Sequence, residues 1–67
     1  MSAERPDPAL IGALVEAWRG LDYTVEVFGL DPSSAPEIAR RHVVAMLDRI
    51  DPEILRQLRR NPRWRPE

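Results

Sequence analysis

Apolar side chains recur at alternating steps of three and four along the first half of the chain. The members of this apolar stripe are Ile11, Leu14, Trp18, Leu21, Val25 and Phe28. At about 100° per residue, they fall in one sector of an α-helix. The positions expected on the opposite, solvent-facing side are Glu16, Arg19, Asp22, Tyr23 and Glu26. The pattern therefore predicts a long amphipathic helix that needs an apolar partner along its length.

Capping signals place this first helix at about residues 8–28. Asp7 is a suitable N-cap, and Pro8 at the first helical position loses no hydrogen bond, because the N–H it lacks would be free there. Gly29 followed by Leu30 is typical of a helix that ends with a residue in the left-handed conformation. The two signals together predict a helix of about six turns.

Residues 23–28 admit a second interpretation, because their alternating pattern and β-branched side chains also suit a β-strand. Gly20 could end the helix before this segment, and a glycine in a helix interior costs about 1 kcal/mol. A strand needs a partner strand, and no other segment has the pattern of one. The sequence therefore favours a helix through Phe28 and leaves the strand as the alternative.

The second half of the chain predicts two more helices. Ser34 and Glu37 match the capping box S-x-x-E, in which each side chain satisfies a free backbone donor, and they predict a second helix at about 35–50. Pro52 cannot continue that helix without losing a hydrogen bond. The Asp-Pro pair therefore predicts a break and a short third helix at about 52–60.

Apolar positions on these two helices are the expected cover for the stripe. They are Val43, Met46, Leu47 and Ile50 on the second helix and Ile54, Leu55 and Leu58 on the third. Val44 lies off this line and is a candidate for a second contact surface. The predicted fold is an all-α helical hairpin with a short third helix and an extended C-terminal tail.

The length and the prolines define the expected domain organisation. A flexible N-terminus covers residues 1–6, a single small helical domain covers 7–61, and a basic tail containing proline and tryptophan covers 62–67. With 67 residues, the core is expected to contribute only about 3 to 5 kcal/mol of net stability. We therefore expect a homo-oligomer or a chain that docks on a larger protein subunit.

Charge is distributed unevenly, although the formal net charge is only −1. Residues 1–31 carry six acids and two arginines, for a charge of −4, and residues 32–67 carry five acids and eight arginines, for +3. Such halves attract each other within a folded chain or between antiparallel chains. All ten basic residues are arginine, which suits bidentate anion contacts or reflects the codon usage of a GC-rich, bacterial-like genome.

The tail region contains most of the candidate partner-binding residues. Trp64 lies between two arginines, and it either folds back as a packing anchor or serves as an exposed hook for a partner, since Trp and Arg dominate interface hot spots. The full set of candidates is Trp18, Val44, Arg56, Arg59, Arg60, Arg63, Trp64 and Arg65. The arginines could instead bind nucleic acid if the last two helices formed a helix-turn-helix.

The sequence offers little for catalysis, metal binding or membrane insertion. It has no Cys and one histidine, His42, so we expect no metal ligand set. The carboxylates on the first helix lack a cleft that would shift a pKa, unless they converge in an oligomer. We expect no cofactor and no enzymatic activity. No apolar run is long enough to span a bilayer, and we expect a cytoplasmic location.

These observations favour a small non-catalytic module for protein–protein interaction or assembly. The chain would associate with itself into a helical bundle or dock on a larger subunit. Two alternatives remain open: a small nucleic-acid-binding regulator that uses the C-terminal arginines, and an accessory subunit of an enzyme complex.

Overall fold

The computed structural model describes residues 7–66 and shows three α-helices. Helix α1 spans Pro8–Phe28, α2 spans Ala35–Ile50 and α3 spans Pro52–Arg60. The first two helices pack as a hairpin, and the short α3 packs on the same core. No strand occurs in the described part of the chain, so the helical alternative is confirmed for residues 23–28.

Both ends of α1 carry the predicted caps. The carboxylate of Asp7 accepts a hydrogen bond of 3.0 Å from the backbone N–H of Ala9. At the other end, Gly29 adopts the left-handed conformation with φ of 60°. The backbone N–H of Leu30 then donates to the carbonyl of Val25 at 3.1 Å, and the same carbonyl accepts from the backbone N–H of Gly29, so both bonds close the end of the helix.

The start of α2 is capped by only half of the predicted capping box. The hydroxyl of Ser34 accepts a hydrogen bond of 3.4 Å from the backbone N–H of Glu37. The N–H of Ser34, however, donates to the carbonyl of Asp31 at 3.1 Å within the preceding turn. The carboxylate of Glu37 pairs with Arg40 instead, so the prediction of a reciprocal bond from Glu37 to Ser34 is wrong.

A single residue, Asp51, separates α2 from α3. Its backbone N–H donates to the carbonyl of Leu47 at 2.8 Å and so ends α2. Its carboxylate accepts a hydrogen bond of 3.0 Å from the N–H of Glu53 and so caps α3. Pro52 follows at the first helical position, where no N–H is needed. The break predicted from the Asp-Pro pair is confirmed.

The core lies where α3 meets the hairpin. Its buried members are Val15, Leu47, Ile54, Leu55 and Leu58, with Ile11, Leu14, Trp18, Val43, Val44, Ile50 and Trp64 packed around them. The predicted apolar side of α3 is therefore confirmed. Val15 is fully buried, although it lies outside the apolar stripe.

Two positions expected in the core are exposed instead. Phe28 is 69% exposed and Met46 is 48% exposed. Positions spaced at an average of 3.5 residues drift around a helix that has 3.6 residues per turn. From Leu14 to Phe28, which are two heptads apart, this drift amounts to about 40°. The stripe therefore leaves the core towards its C-terminal end.

The structure describes the C-terminal tail as far as Pro66. Residues 1–6, predicted to be flexible, and Glu67 lie outside the described residues. Residues 61–66 are not helical, and the backbone N–H of Trp64 donates to the carbonyl of Asn61 at 2.8 Å in a tight turn.

Candidate interaction surface

Arg40 of α2 joins the two long helices through ion pairs. Its guanidinium lies 2.6 Å from Asp22 and 3.2 Å from Glu26, both on α1, and 2.6 Å from Glu37. The sequence pattern had placed Asp22 and Glu26 opposite the contact with α2. Their ion pairs with Arg40 show that they lie beside this contact instead. We call the side of the hairpin that holds these residues the charged side.

The electrostatic balance at Arg40 favours its charged form. Partial burial alone would lower the pKa of the guanidinium. The hydrogen bonds to Glu26 and Asp22 and the negative charge of Glu37 outweigh that effect, so the pKa of Arg40 is raised. This arginine is therefore a permanent positive charge that holds α1 and α2 together on the charged side.

The C-terminal tail is held against the same side of α1. The Nε of Arg19 donates to the carbonyl of Pro62 at 2.9 Å, and another of its nitrogens donates to the carbonyl of Trp64. The carboxylate of Glu16 lies 2.7 Å from Arg19 and 3.0 Å from Arg65. These contacts fold the tail back onto α1.

Trp64 packs against the core as a half-buried side chain. It lines a small depression together with Ile11 of α1 and Ile54 of α3. Of the two possibilities that the sequence left open for this residue, the structure shows the packing anchor. The tail and α3 together cover the charged side of the hairpin near the N-terminal end of α1.

On the opposite side of the hairpin, α1 carries no charged residue, and on α2 the exposed Arg49 and His42 lie at the outer edge beside Met46. At 100° per residue, the four charged residues of α1 fall within a sector of about 120°. They are Glu16, Arg19, Asp22 and Glu26. The surface on the other side, which we call the uncharged flank, consists of Leu10, Leu14, Ala17, Leu21, Thr24 and Phe28 of α1 and Ala39, Val43, Met46 and Ile50 of α2.

Helix geometry places both halves of this flank side by side. We view each helix along its own direction, from its N-terminus to its C-terminus. In an antiparallel pair, residues clockwise of the contact on one helix then lie on the same side of the pair as residues clockwise of the contact on the other helix. Asp22 on α1 and Arg40 on α2 both lie clockwise and touch each other. Phe28 and Met46 lie counter-clockwise on their helices, and they therefore share the other side.

Large apolar side chains on the uncharged flank are open to solvent. Phe28 is 69% exposed, Met46 is 48% exposed and Leu10 is 47% exposed. Within residues 7–66, nothing covers them, because α3 and the tail lie on the charged side. Because exposed apolar patches are typical of interaction surfaces, the uncharged flank is a candidate for one. Sequence reasoning missed this surface, although the clustering of the α1 charges in one sector is a readable signal for it.

The residues predicted to bind partners fall into two groups. Trp18, Val44 and Trp64 are partly buried and pack against the core, so packing within the chain already explains their burial. The arginines Arg56, Arg59, Arg60, Arg63 and Arg65 are exposed, with Arg56 paired to Glu53 and Arg65 to Glu16. The structure does not bring these two groups into one site, and their role in binding stays a prediction.

The groove between the charged side of α1 and the tail has a volume of about 650 Å³. Trp18, Tyr23 and Pro62 line it, with carboxylates at its edge. Arginines engage the carboxylates of both Glu16 and Asp22, which leaves these acids poorly suited to proton transfer. The groove therefore offers shape and aromatic surface rather than a reacting pair.

The described residues show neither a cluster of metal ligands nor a helix suited to span a membrane. His42 is exposed, and residues 7–66 contain no group of three or more His, Asp or Glu side chains placed to hold a metal ion. None of the helices described is both long and apolar enough to cross a membrane.

No protein-family model, curated protein or solved structure matches this chain. A functional proposal therefore rests on the geometry and chemistry of the chain itself.

Proposed function

We propose that this chain is a non-catalytic assembly module that binds an apolar helical surface of another chain through the uncharged flank. The observation that supports this proposal is the exposure of Leu10, Met46 and Phe28 on one side of the hairpin, where α1 carries no charge. Solvent-facing sides of small helical domains are normally charged, because charge keeps a monomer soluble.

The size of the core supports the same proposal. A domain of this length gains about 3 to 5 kcal/mol from its own core. Covering a large apolar side chain contributes about 1.5 to 3 kcal/mol when it passes from full exposure to full burial. Phe28, Leu10 and Met46 together would therefore add a stabilisation comparable to that of the core itself. A chain with this surface gains stability from assembly.

The shape of the flank indicates what kind of surface fits it. Side chains on α1 and α2 recur at steps of three and four, so they form ridges along each helix. Such ridges pack into the grooves of other helices at interaxial distances of 8 to 10 Å. The expected partner is therefore a helical pair with an apolar face. This pair could belong to a second copy of the chain or to a larger subunit. If the larger subunit is an enzyme, this chain would be its accessory subunit.

The native size of the chain in extracts of the cells that make it tests this function. The variant Phe28→Lys/Met46→Lys changes two exposed positions of the flank, and Tyr23→Lys/Val27→Lys changes two exposed positions away from it. We expect the wild type and the Tyr23/Val27 variant to migrate well above the 7.7 kDa of one chain. The Phe28/Met46 variant should migrate as a single chain, and an unchanged size for it would contradict the proposed function.

Nucleic-acid binding is a second candidate, favoured by the exposed arginines on the outer side of α3. Arg59 and Arg60 face solvent, as does Arg56, which pairs with Glu53. If these arginines bind phosphates, a labelled duplex should shift at 50 mM salt, and the shift should weaken as salt increases. Replacing Arg56, Arg59 and Arg60 should abolish it. An absence of binding at 50 mM salt would end this candidate.

A further inference from the structure

We infer that the uncharged flank binds a second copy of this chain, antiparallel to the first and related to it by a two-fold axis. This inference rests on the proposed function and specifies the partner. Each copy would present the same flank, so the two hairpins would form a four-helix bundle with an isologous interface. The inference follows from the order of residue sizes along the two helices and from the level at which α1 and α2 are joined.

The flank residues of α1 pair well with themselves in an antiparallel arrangement. If the two-fold axis lies level with Arg19, residues equally far before and after Arg19 face each other across the interface. The facing pairs are Leu10 with Phe28, Leu14 with Thr24, and Ala17 with Leu21. The two inner pairs each join a leucine to a smaller side chain, which is the arrangement that lets facing layers interdigitate.

The flank residues of α2 have the same property. If the axis lies level with the bond between Val44 and Ala45, the facing pairs are Ala39 with Ile50, and Val43 with Met46. Each pair again joins a smaller side chain to a larger one. An alternating four-three spacing reads the same in both directions on any helix, so the spacing alone does not identify a partner. The pairing of sizes and the position of the axis are the specific features.

One axis must serve both helices, and the hairpin satisfies this condition. Arg40 bonds to both Asp22 and Glu26, so it lies level with about residue 24 of α1. Arg19 lies five residues before that level, and in an antiparallel hairpin the matching position on α2 is five residues after Arg40. That position is Ala45, next to the centre that the α2 pairs require. The two centres therefore lie at about the same level along the hairpin.

The charge and area of the flank also suit a second copy. Because the flank residues of α1 are uncharged, the two copies of α1 meet without bringing like charges together. From Leu10 to Phe28 the flank is about 27 Å long, and two helices make it about 18 Å wide. About 500 Å² per copy, or about 1,000 Å² in total, lies at the lower limit for specific interfaces. We therefore expect a dimer that dissociates on dilution.

Cysteine cross-linking of the purified full chain tests this arrangement, because the natural sequence contains no Cys. Leu10 and Phe28 are both exposed, so replacing them should preserve the fold, which circular dichroism checks. They lie about 27 Å apart along one helix, too far for a disulfide within a chain. The double variant Leu10→Cys/Phe28→Cys should form a covalent dimer under mild oxidation, and each single variant should stay uncross-linked.

Two results would overturn the inference. If either single variant cross-links to itself as readily as the double variant does, the copies are not antiparallel about this axis. If the wild-type chain keeps the mass of one chain up to millimolar concentration, the partner is not a second copy. Neither result depends on the sizes measured in cell extracts. The extract experiment asks a different question, which is whether the double change at Phe28 and Met46 removes binding of any partner to the flank.

Discussion

The carboxylate of Asp22 lies 2.6 Å from the guanidinium of Arg40, and this contact joins the two long helices on the charged side of the hairpin. The arginine is only 20% exposed and also contacts Glu26 and Glu37. Its charged partners all lie on one side of the interface between α1 and α2, and the exposed residues Leu10, Phe28 and Met46 lie on the other.

Replacing Arg40 with Met should destabilise the hairpin. The change leaves Asp22, Glu26 and Glu37 close together without their shared counter-charge, and we expect the free energy of unfolding to fall by about 1 to 3 kcal/mol. Urea denaturation followed by circular dichroism measures this quantity. The matched control is Arg60→Met at an exposed position of α3, which should cost no more than about 0.5 kcal/mol. Equal losses in both variants would show that the ion-pair cluster adds nothing to stability.

Two glycines should respond in opposite directions to replacement by Ala. Gly20 lies inside α1, and a Cβ added there meets no atom within 4 Å. Gly20→Ala should raise the free energy of unfolding by about 1 kcal/mol, because Ala favours the helix. Gly29 adopts φ of 60°, so Gly29→Ala should lower it by about 1 kcal/mol. Thermal unfolding of both variants checks this contrast, and a loss at Gly20 would contradict the continuous α1.

The adjacent residues Met46 and Leu47 should differ sharply when each is replaced by Ala. Leu47 is fully buried at the centre of the core, and Leu47→Ala should cost about 2 to 5 kcal/mol. Since the core contributes a similar amount, this variant should be largely unfolded at 25 °C. Met46→Ala should keep its helical signal in far-ultraviolet circular dichroism. An unfolded Met46 variant would show that this residue belongs to the core.

Removing residues 62–67 should lower the melting temperature of the chain. The truncation deletes the packing of Trp64 on the core and the two carbonyls that accept hydrogen bonds from Arg19. We expect a loss of about 2 kcal/mol, roughly half of the cost of removing a fully buried Trp. Trp64→Ala should reproduce most of the loss, and Arg63→Ala should leave the melting temperature unchanged. A truncated chain as stable as the wild type would contradict the role of the tail as a packing anchor.

The bounds of the three helices could be predicted because their signals are local. Asp7 with Pro8, Gly29, Ser34 and Asp51 each satisfy backbone groups within a few residues of themselves. Such contacts depend little on the rest of the fold. The exception is Glu37, whose carboxylate pairs with arginines of its own helix instead of closing the capping box.

The candidate interaction surface could not be predicted in the same way, because it depends on helix rotation. The heptad-like spacing placed Phe28 in the core, whereas a small drift per turn carries it to the exposed flank. The position of Trp64 depends on contacts between Arg19 and carbonyls more than 40 residues away in sequence. No local pattern encodes such a contact.

Sedimentation equilibrium of the purified chain over a range of concentrations tests the role of the uncharged flank most directly. Three proteins should be compared: the wild type, Phe28→Lys on the flank, and Val27→Lys at a neighbouring exposed position outside it. We expect the masses of the wild type and of Val27→Lys to rise from 7.7 kDa towards twice that value with concentration. Phe28→Lys should remain at 7.7 kDa throughout. Equal association of all three proteins would contradict assembly through this flank, and association of none would contradict a second copy as its partner.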